Sequence, residues 1–397
     1  MGSELGRGLD SLLVVALVAA LAPLIVGLLA RLRIPQVVVL IVGGVVVGPE
    51  VLDLADPDSI ELLSNVGLGF LFLLAGYEVE LESFRQRAGK LAITGWLVTV
   101  ATAGVVVGAL AAVGLVNAFV PVALGLTTTA LGTLLPILRD NNMLGGKFGP
   151  YVLAAGAVGE LFPVVAIAIF LGSHGEFLGL ISLLAVGAIA GLLSQVPRLA
   201  RGGRLQRIFT EGQHATAQTT LRWTVVLLLL LLVIANDFGL DVVLGAFLAG
   251  MVLRRWAPGD VESLEGKLDA VGYGFFIPIF FVSSGMALDL RSILEAPARL
   301  FLFFLLLLAV RGLPTLLVYR KALPGVERVE LAFLVSTALP LLVALSEIGL
   351  ESGHMLPENA AALVGAGVLS VLVYPAIAVA IDRRQTRTQD EVGGPRP

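Results

Sequence analysis

Apolar runs separated by short charged loops fill the chain from about residue 10 to residue 381. A helix that crosses a bilayer needs ~20 mostly apolar residues. Thirteen segments fit that pattern, some of them short: 10–30, 35–49, 60–77, 90–114, 117–138, 147–172, 176–196, 219–235, 239–254, 267–287, 298–319, 328–349 and 360–381. The pattern predicts an all-α integral membrane protein with 13 transmembrane helices. The shortest segments, such as 35–49, read as tilted or partly spanning.

The segments repeat. Val66-Gly67-Leu68-Gly69-Phe70 resembles Val271-Gly272-Tyr273-Gly274-Phe275, and Gly76-Tyr77-Glu78-Val79-Glu80-Leu81 resembles Gly285-Met286-Ala287-Leu288-Asp289-Leu290. Thr127-Thr128-Thr129-Ala130-Leu131 resembles Val335-Ser336-Thr337-Ala338-Leu339. The three offsets agree to within a few residues and enclose an odd number of helices, so the two copies are inverted in the membrane. Inverted-topology repeats are a signature of secondary transporters, with the site between the repeats near the midplane. One membrane transporter domain over 1–397 is expected: a first repeat over about 10–172, a linker helix over about 176–196, a second repeat over about 219–382, and a short cytoplasmic tail at 383–397.

Charge sets the orientation. Of the 26 Lys and Arg residues, all but Arg7, Arg291, Arg299 and Arg311 fall after odd-numbered segments or in the C-terminal tail. The positive-inside rule then puts the N-terminus outside and the C-terminus in the cytoplasm. The basic stretch Arg198–Arg207 fits a topology signal and anionic-lipid contact, not nucleic-acid binding. Leu9–Ala30 has no basic leader and reads as a retained helix, not a signal peptide.

Composition excludes several classes. The chain is 57% hydrophobic and 14% charged, against about 25% charged in a soluble domain, so a soluble enzyme is excluded. There is no cysteine, hence no disulfide and no thiolate metal site. His174, His214 and His354 all fall in predicted loops, which argues against a transition-metal site. No P-loop, dinucleotide fingerprint or nucleophile elbow is present. The chain is expected to be no enzyme, to need no cofactor and not to be driven by ATP.

Two positions carry the chemistry. Glu160 lies in the middle of Ala154–Phe170, with Pro163 after it, and Arg311 lies in the middle of 298–319. An ionisable group at the bilayer centre is a functional-site hypothesis by default. The two charges are best accommodated by pairing or by sharing one polar cavity. The fifth and twelfth segments each carry a polar break in an apolar run: Thr127, Thr128 and Thr129 followed by Pro136, and Ser336 and Thr337 followed by Pro340. Paired breaks at matching positions point to a transporter binding site, where freed carbonyls and hydroxyls can hold a small cation. The ion- and proton-binding set is thus Glu160, Thr128, Thr129, Ser336 and Thr337, with Arg311 as charge partner and Glu78 and Glu347 as secondary candidates. In the repeat, Glu160 is matched by Ser370 and Arg311 by a position near Ala103, so the scaffold is duplicated but the charges are not.

Pro35-Gln36-Val37-Val38, Phe72-Leu73-Leu74-Ala75-Gly76, Leu244-Gly245-Ala246-Phe247-Leu248-Ala249-Gly250 and Phe280-Phe281-Val282-Ser283-Ser284-Gly285-Met286 resemble the monovalent cation:proton antiporter-2 family, which includes Kef-type and Nap-type sodium or potassium/proton exchangers. The resemblance runs from about 10 to 382. It implies that broken helices 5 and 12 cross, and that a dimerisation domain carries a moving core domain. It further implies elevator-like alternating access by a homodimer in the bacterial inner (cytoplasmic) membrane. The family's acidic or amide-acid pair in helix 6 is here Gly159-Glu160, so one carboxylate is missing. The expected function is electroneutral exchange of Na+ or K+ for protons, in contact with membrane lipid. Two rivals remain: the same scaffold moving an anion or organic solute with a cation, which an ion-dependence assay discriminates, and a non-transporting membrane sensor or subunit, which would tolerate Glu160→Gln.

Overall fold

The structure is a computed structural model that describes residues 2–29, 35–79, 84–171, 176–195, 218–256, 261–295, 297–351, 353 and 355–392. The three histidines, Arg31, Arg33 and the stretch Arg198–Arg207 lie outside the described residues.

In chain order the helices are α1 (Gly2–Leu28), α2 (Gln36–Val47), α3 (Glu61–Glu78), α4 (Arg87–Ala112), α5 (Phe119–Gly125), α6 (Leu131–Asp140), α7 (Gly149–Phe170), α8 (Glu176–Leu193) and α9 (Thr219–Asp237). They continue with α10 (Val242–Trp256), α11 (Val261–Val271), α12 (Ile277–Met286), α13 (Leu290–Glu295), α14 (Pro297–Leu307), α15 (Leu313–Val318), α16 (Gly325–Val335), α17 (Pro340–Glu351) and α18 (Pro357–Val392). All regular structure among the described residues is helical. Among the described residues, nine helical spans, some joining two of these helices through a bulge or break, are long and apolar enough to cross a membrane. Each apolar segment read from the sequence contains helix, and 35–49 holds a helix of only 12 residues.

The chain divides into two compact units that do not follow its halves. The first comprises Met1–Leu21, Leu40–Val79 and Val164–Ala287, and the second Ala22–Val39, Glu80–Pro163 and Leu288–Pro397. In the first unit, glycines let helix backbones meet. A Cβ at Gly76 would strike the Phe247 carbonyl, one at Gly250 the Leu73 carbonyl, and one at Gly67 the Phe276 carbonyl. Small residues at helix interfaces permit this approach in membrane proteins, where dispersion contacts replace the hydrophobic effect as the cohesive force. Arg254 closes the C-terminal end of α3: its Nη1 donates to the Tyr77 carbonyl at 3.0 Å, and its guanidinium lies 5.6 Å from the Tyr77 ring centre.

The second unit holds two apolar cores. One gathers Trp96, Leu134, Leu138, Val152, Val158 and Tyr319. The other gathers Val107, Val122, Leu126, Phe303, Leu342 and Tyr374. Between α14 and α15 the helix bulges over Leu308–Gly312 into wide, π-type turns. Such bulges recur at functional sites because they re-aim a side chain within a continuous helix. Here the bulge carries Arg311.

Candidate functional site

The second unit supplies every residue of the primary site. Its first component is the gap between α5 and α6, residues 126–130. At the end of α5, threonine hydroxyls share the last carbonyls with backbone amides. Thr127 Oγ1 donates to the Leu124 carbonyl at 2.7 Å, and Thr128 Oγ1 to the Gly125 carbonyl at 2.8 Å. Such side-chain bonds compete with helix continuation. The sequence reading attached this break to Pro136, but that residue lies inside α6, downstream of the gap. The threonines, and not the proline, stand where the helix ends.

The second component is the gap between α16 and α17. Ser336 Oγ donates to the Ala332 carbonyl at 2.7 Å, and Thr337 Oγ1 to the Phe333 carbonyl at 3.3 Å. Pro340 opens α17, a position where its missing N–H costs nothing. The two gaps are bonded to each other. Ala130 N donates to the Thr337 carbonyl at 2.8 Å, and Thr129 Oγ1 donates to the Val335 carbonyl at 2.6 Å. Groups freed by one break thus satisfy groups freed by the other, as an interior without water requires. Ser370 on α18 secures the second gap: its Oγ accepts from Ala338 N at 3.0 Å and lies within hydrogen-bond distance of the Ala338 carbonyl, 2.9 Å away.

Glu160 sits on α7 at 5% exposure and Arg311 at 3%. Both charged residues are therefore almost wholly shielded from solvent. The Arg311 guanidinium donates from Nε to Thr129 Oγ1 at 3.2 Å and from Nη2 to the Ala155 carbonyl at 3.1 Å. It lies beside the residue preceding Glu160, because a Cβ at Gly159 would come within 2.6 Å of Arg311 Nη2. Thr315 Oγ1 in turn donates to the Arg311 carbonyl at 3.1 Å.

The predicted residues therefore separate into groups. Thr129 is bonded to the other gap and to Arg311, whereas Thr128, Ser336 and Thr337 donate to carbonyls of their own helices. A hydroxyl that donates its proton this way keeps oxygen lone pairs for a cation. Glu347 lies on α17, seven residues past Pro340 and half-buried, about two turns from the gap. Glu78 is the last residue of α3 and belongs to the first unit. The sequence reading missed the backbone acceptors Ala155, Gly159 and Val335, which no residue type announces. It also missed Glu330 on α16, a buried carboxylate that accepts from Gln385 Nε2 at 3.3 Å. Glu330 stands near the start of its apolar segment, where a charge looks like a loop flank.

Glu160 and Arg311 are both buried, and Arg311 ties Thr129 of the first gap to the Ala155 carbonyl of α7. Neutral oxygens with one carboxylate suit a small monovalent cation or a proton. No group of three or more His, Cys, Asp or Glu side chains suited to a resident metal occurs among the described residues.

Residues 14–381 match the protein family described as "Sodium/hydrogen exchanger, transmembrane". Among curated proteins, the chain is 28% identical to the putative Na(+)/H(+) antiporter YjbQ of Bacillus subtilis, over 96% of this chain and 64% of that protein. The chain thus spans just under two thirds of that relative's length. It is 25% identical to the Na(+)/H(+)-K(+) antiporter GerN of Bacillus cereus, over 91% of this chain and 93% of GerN. Among solved structures, the sodium proton antiporter MjNhaP1 of Methanocaldococcus jannaschii shares the fold, with a TM-score of 0.65 over 96% of this chain and 99% of that one, at 17% identity.

Proposed function

The chain belongs to the sodium/hydrogen exchanger transmembrane family, and from that membership we propose that it is a secondary antiporter that exchanges Na+ or K+ for protons. The observation that carries the reading is the burial of one carboxylate, Glu160, and one guanidinium, Arg311, in the unit where two broken helices meet. Glu160 binds either a cation or a proton, and this competition couples the two fluxes. Thr128, Ser336 and Thr337 contribute oxygens to the cation. Arg311 compensates the carboxylate when neither is bound. One carboxylate trades one positive charge for one positive charge, so exchange is electroneutral and one-for-one.

The wider architecture follows the same reading. The hydrogen bonds between the two gaps support a crossing of the fifth and twelfth of 13 spanning segments. The interleaved division into two units supports a moving body that carries the site past a scaffold, as in an elevator-like mechanism, within a homodimer. The distribution of Lys and Arg supports an outside N-terminus and a cytoplasmic C-terminus in a bacterial inner membrane.

The test is flux in liposomes containing only this protein and lipid. With an inward-acid pH gradient, addition of sodium or potassium should dissipate the gradient. Dissipation that needs an added anion, or none with either cation, would overturn the reading.

A further inference from the structure

The Thr129 amide is held by a carbonyl that an ordinary helix would not have to offer. Thr129 N donates to the Gly159 carbonyl at 2.9 Å. Gly159 is inside α7, where a carbonyl normally accepts from the residue four positions on. That residue is Pro163, which has no N–H to give and whose ring pushes against the carbonyl four residues before it. The Gly159 oxygen is thereby released from the helix ladder, and it meets a gap amide that has no helical partner of its own. A buried amide and a buried carbonyl each need a partner, and each supplies the other's.

The same residue clears the way for the contact. A Cβ on Gly159 would lie 2.5 Å from Thr129 Oγ1, 2.7 Å from Thr129 Cβ and 2.6 Å from Arg311 Nη2. Two of these neighbours cannot give way cheaply. Thr129 Cβ is fixed by the backbone that makes the hydrogen bond, and Arg311 is anchored at both Thr129 Oγ1 and the Ala155 carbonyl. A side chain at 159 therefore forces Thr129, Arg311 or α7 to shift.

We propose that Gly159 and Pro163 act as one positioning device, a backbone notch in α7 that seats Thr129 and, through its hydroxyl, Arg311 and the Val335 carbonyl of the second gap. Pro163 frees the acceptor and Gly159 lets the donor reach it. The missing side chain before Glu160 is then a structural requirement of this site and not merely a lost carboxylate. Neither residue touches the transported ion; both act by positioning Thr129 and, through it, Arg311 and the second gap. The inference rests on the exchange reading only for its transport readout.

The experiment compares the reconstituted full chain with Gly159→Ala, Pro163→Ala and the double variant, using sodium as the probe and hydrogen–deuterium exchange as a second measurement. Each single variant is expected to raise the apparent KM for sodium by about five-fold or more, with a smaller change in kcat. Because both act on one contact, the double variant should be no worse than the worse single, as coupled neighbours are non-additive. A KM for Pro163→Ala within about two-fold of the unmodified protein, or effects that multiply in the double variant, would overturn the notch. The amide measurement needs neither transport nor a variant that folds. In the unmodified protein the Thr129 amide must be among the slowly exchanging amides, and rapid exchange there overturns the proposal. An unmodified protein that moves no protons, yet protects Thr129, would sink the exchange reading while upholding the notch.

Discussion

Thr129 is the residue on which most of the site converges. Its amide, its hydroxyl proton and a hydroxyl lone pair each have a partner, on α7, on the second gap and on Arg311 respectively. Thr129→Val keeps the shape and loses the hydroxyl, leaving a buried carbonyl and a guanidinium N–H unsatisfied, which costs about 1–3 kcal/mol for each orphaned group. Its expected outcome is a melting temperature several degrees lower in purified protein, whereas Thr128→Val, whose hydroxyl serves only its own turn, should move the melting temperature less and the sodium KM more. Equal melting shifts in the two would contradict the distinction. Charges such as Glu160 and Arg311 were legible in the sequence because an ionisable residue stands out in an apolar run. The partners of Arg311 were not, because they are a hydroxyl and a backbone carbonyl.

At the scale of elements, the broken helices were readable from Thr127-Thr128-Thr129 and Ser336-Thr337, since clustered hydroxyls and a following proline interrupt an apolar pattern. What the pattern hid was cause. Pro136 looked responsible for the first break but sits within α6, and Pro163, noted only as following Glu160, leaves the Gly159 carbonyl to the gap. A proline reads the same in a sequence whether or not its freed carbonyl finds a partner elsewhere. Glycines divide in the same way. Gly76 and Gly250 stand where another helix's backbone arrives, whereas a Cβ at Gly104 would meet nothing within 4 Å. Gly76→Leu is therefore expected to destabilise the first unit by about 3 kcal/mol or more through overpacking, while Gly104→Ala in α4 should leave stability unchanged or raise it by about 0.5–1 kcal/mol. Thermal unfolding of both variants in detergent checks the contrast, and similar losses in the two would refute the packing argument.

At the scale of the whole molecule, apolar patterning was enough to identify an all-helical membrane protein, and the repeat expected from the sequence pointed to a transporter's plan. The division into units was not legible, because each unit collects segments far apart in sequence, such as 80–163 with 288–397. Contacts of that kind leave no local periodicity. The account makes a demand on energetics at this scale. If one carboxylate alternates between one cation and one proton, no net charge crosses the membrane per cycle, and imposing a potential should not drive exchange. In liposomes without a pH gradient and with equal potassium on both sides, a potential set by a thiocyanate gradient is expected to leave sodium uptake unchanged. Uptake that follows the potential would contradict one-for-one exchange without touching the identity of the substrates.

The central claim is that Glu160 is the group for which cation and proton compete. The direct measurement is proton movement driven by an outward sodium or potassium gradient in liposomes holding matched amounts of unmodified protein and of Glu160→Gln, with the folded state of both confirmed by melting temperature. The account predicts that the unmodified protein moves protons and that Glu160→Gln, which keeps the shape but cannot ionise, moves none above empty liposomes. Proton movement by Glu160→Gln at the unmodified rate would contradict it.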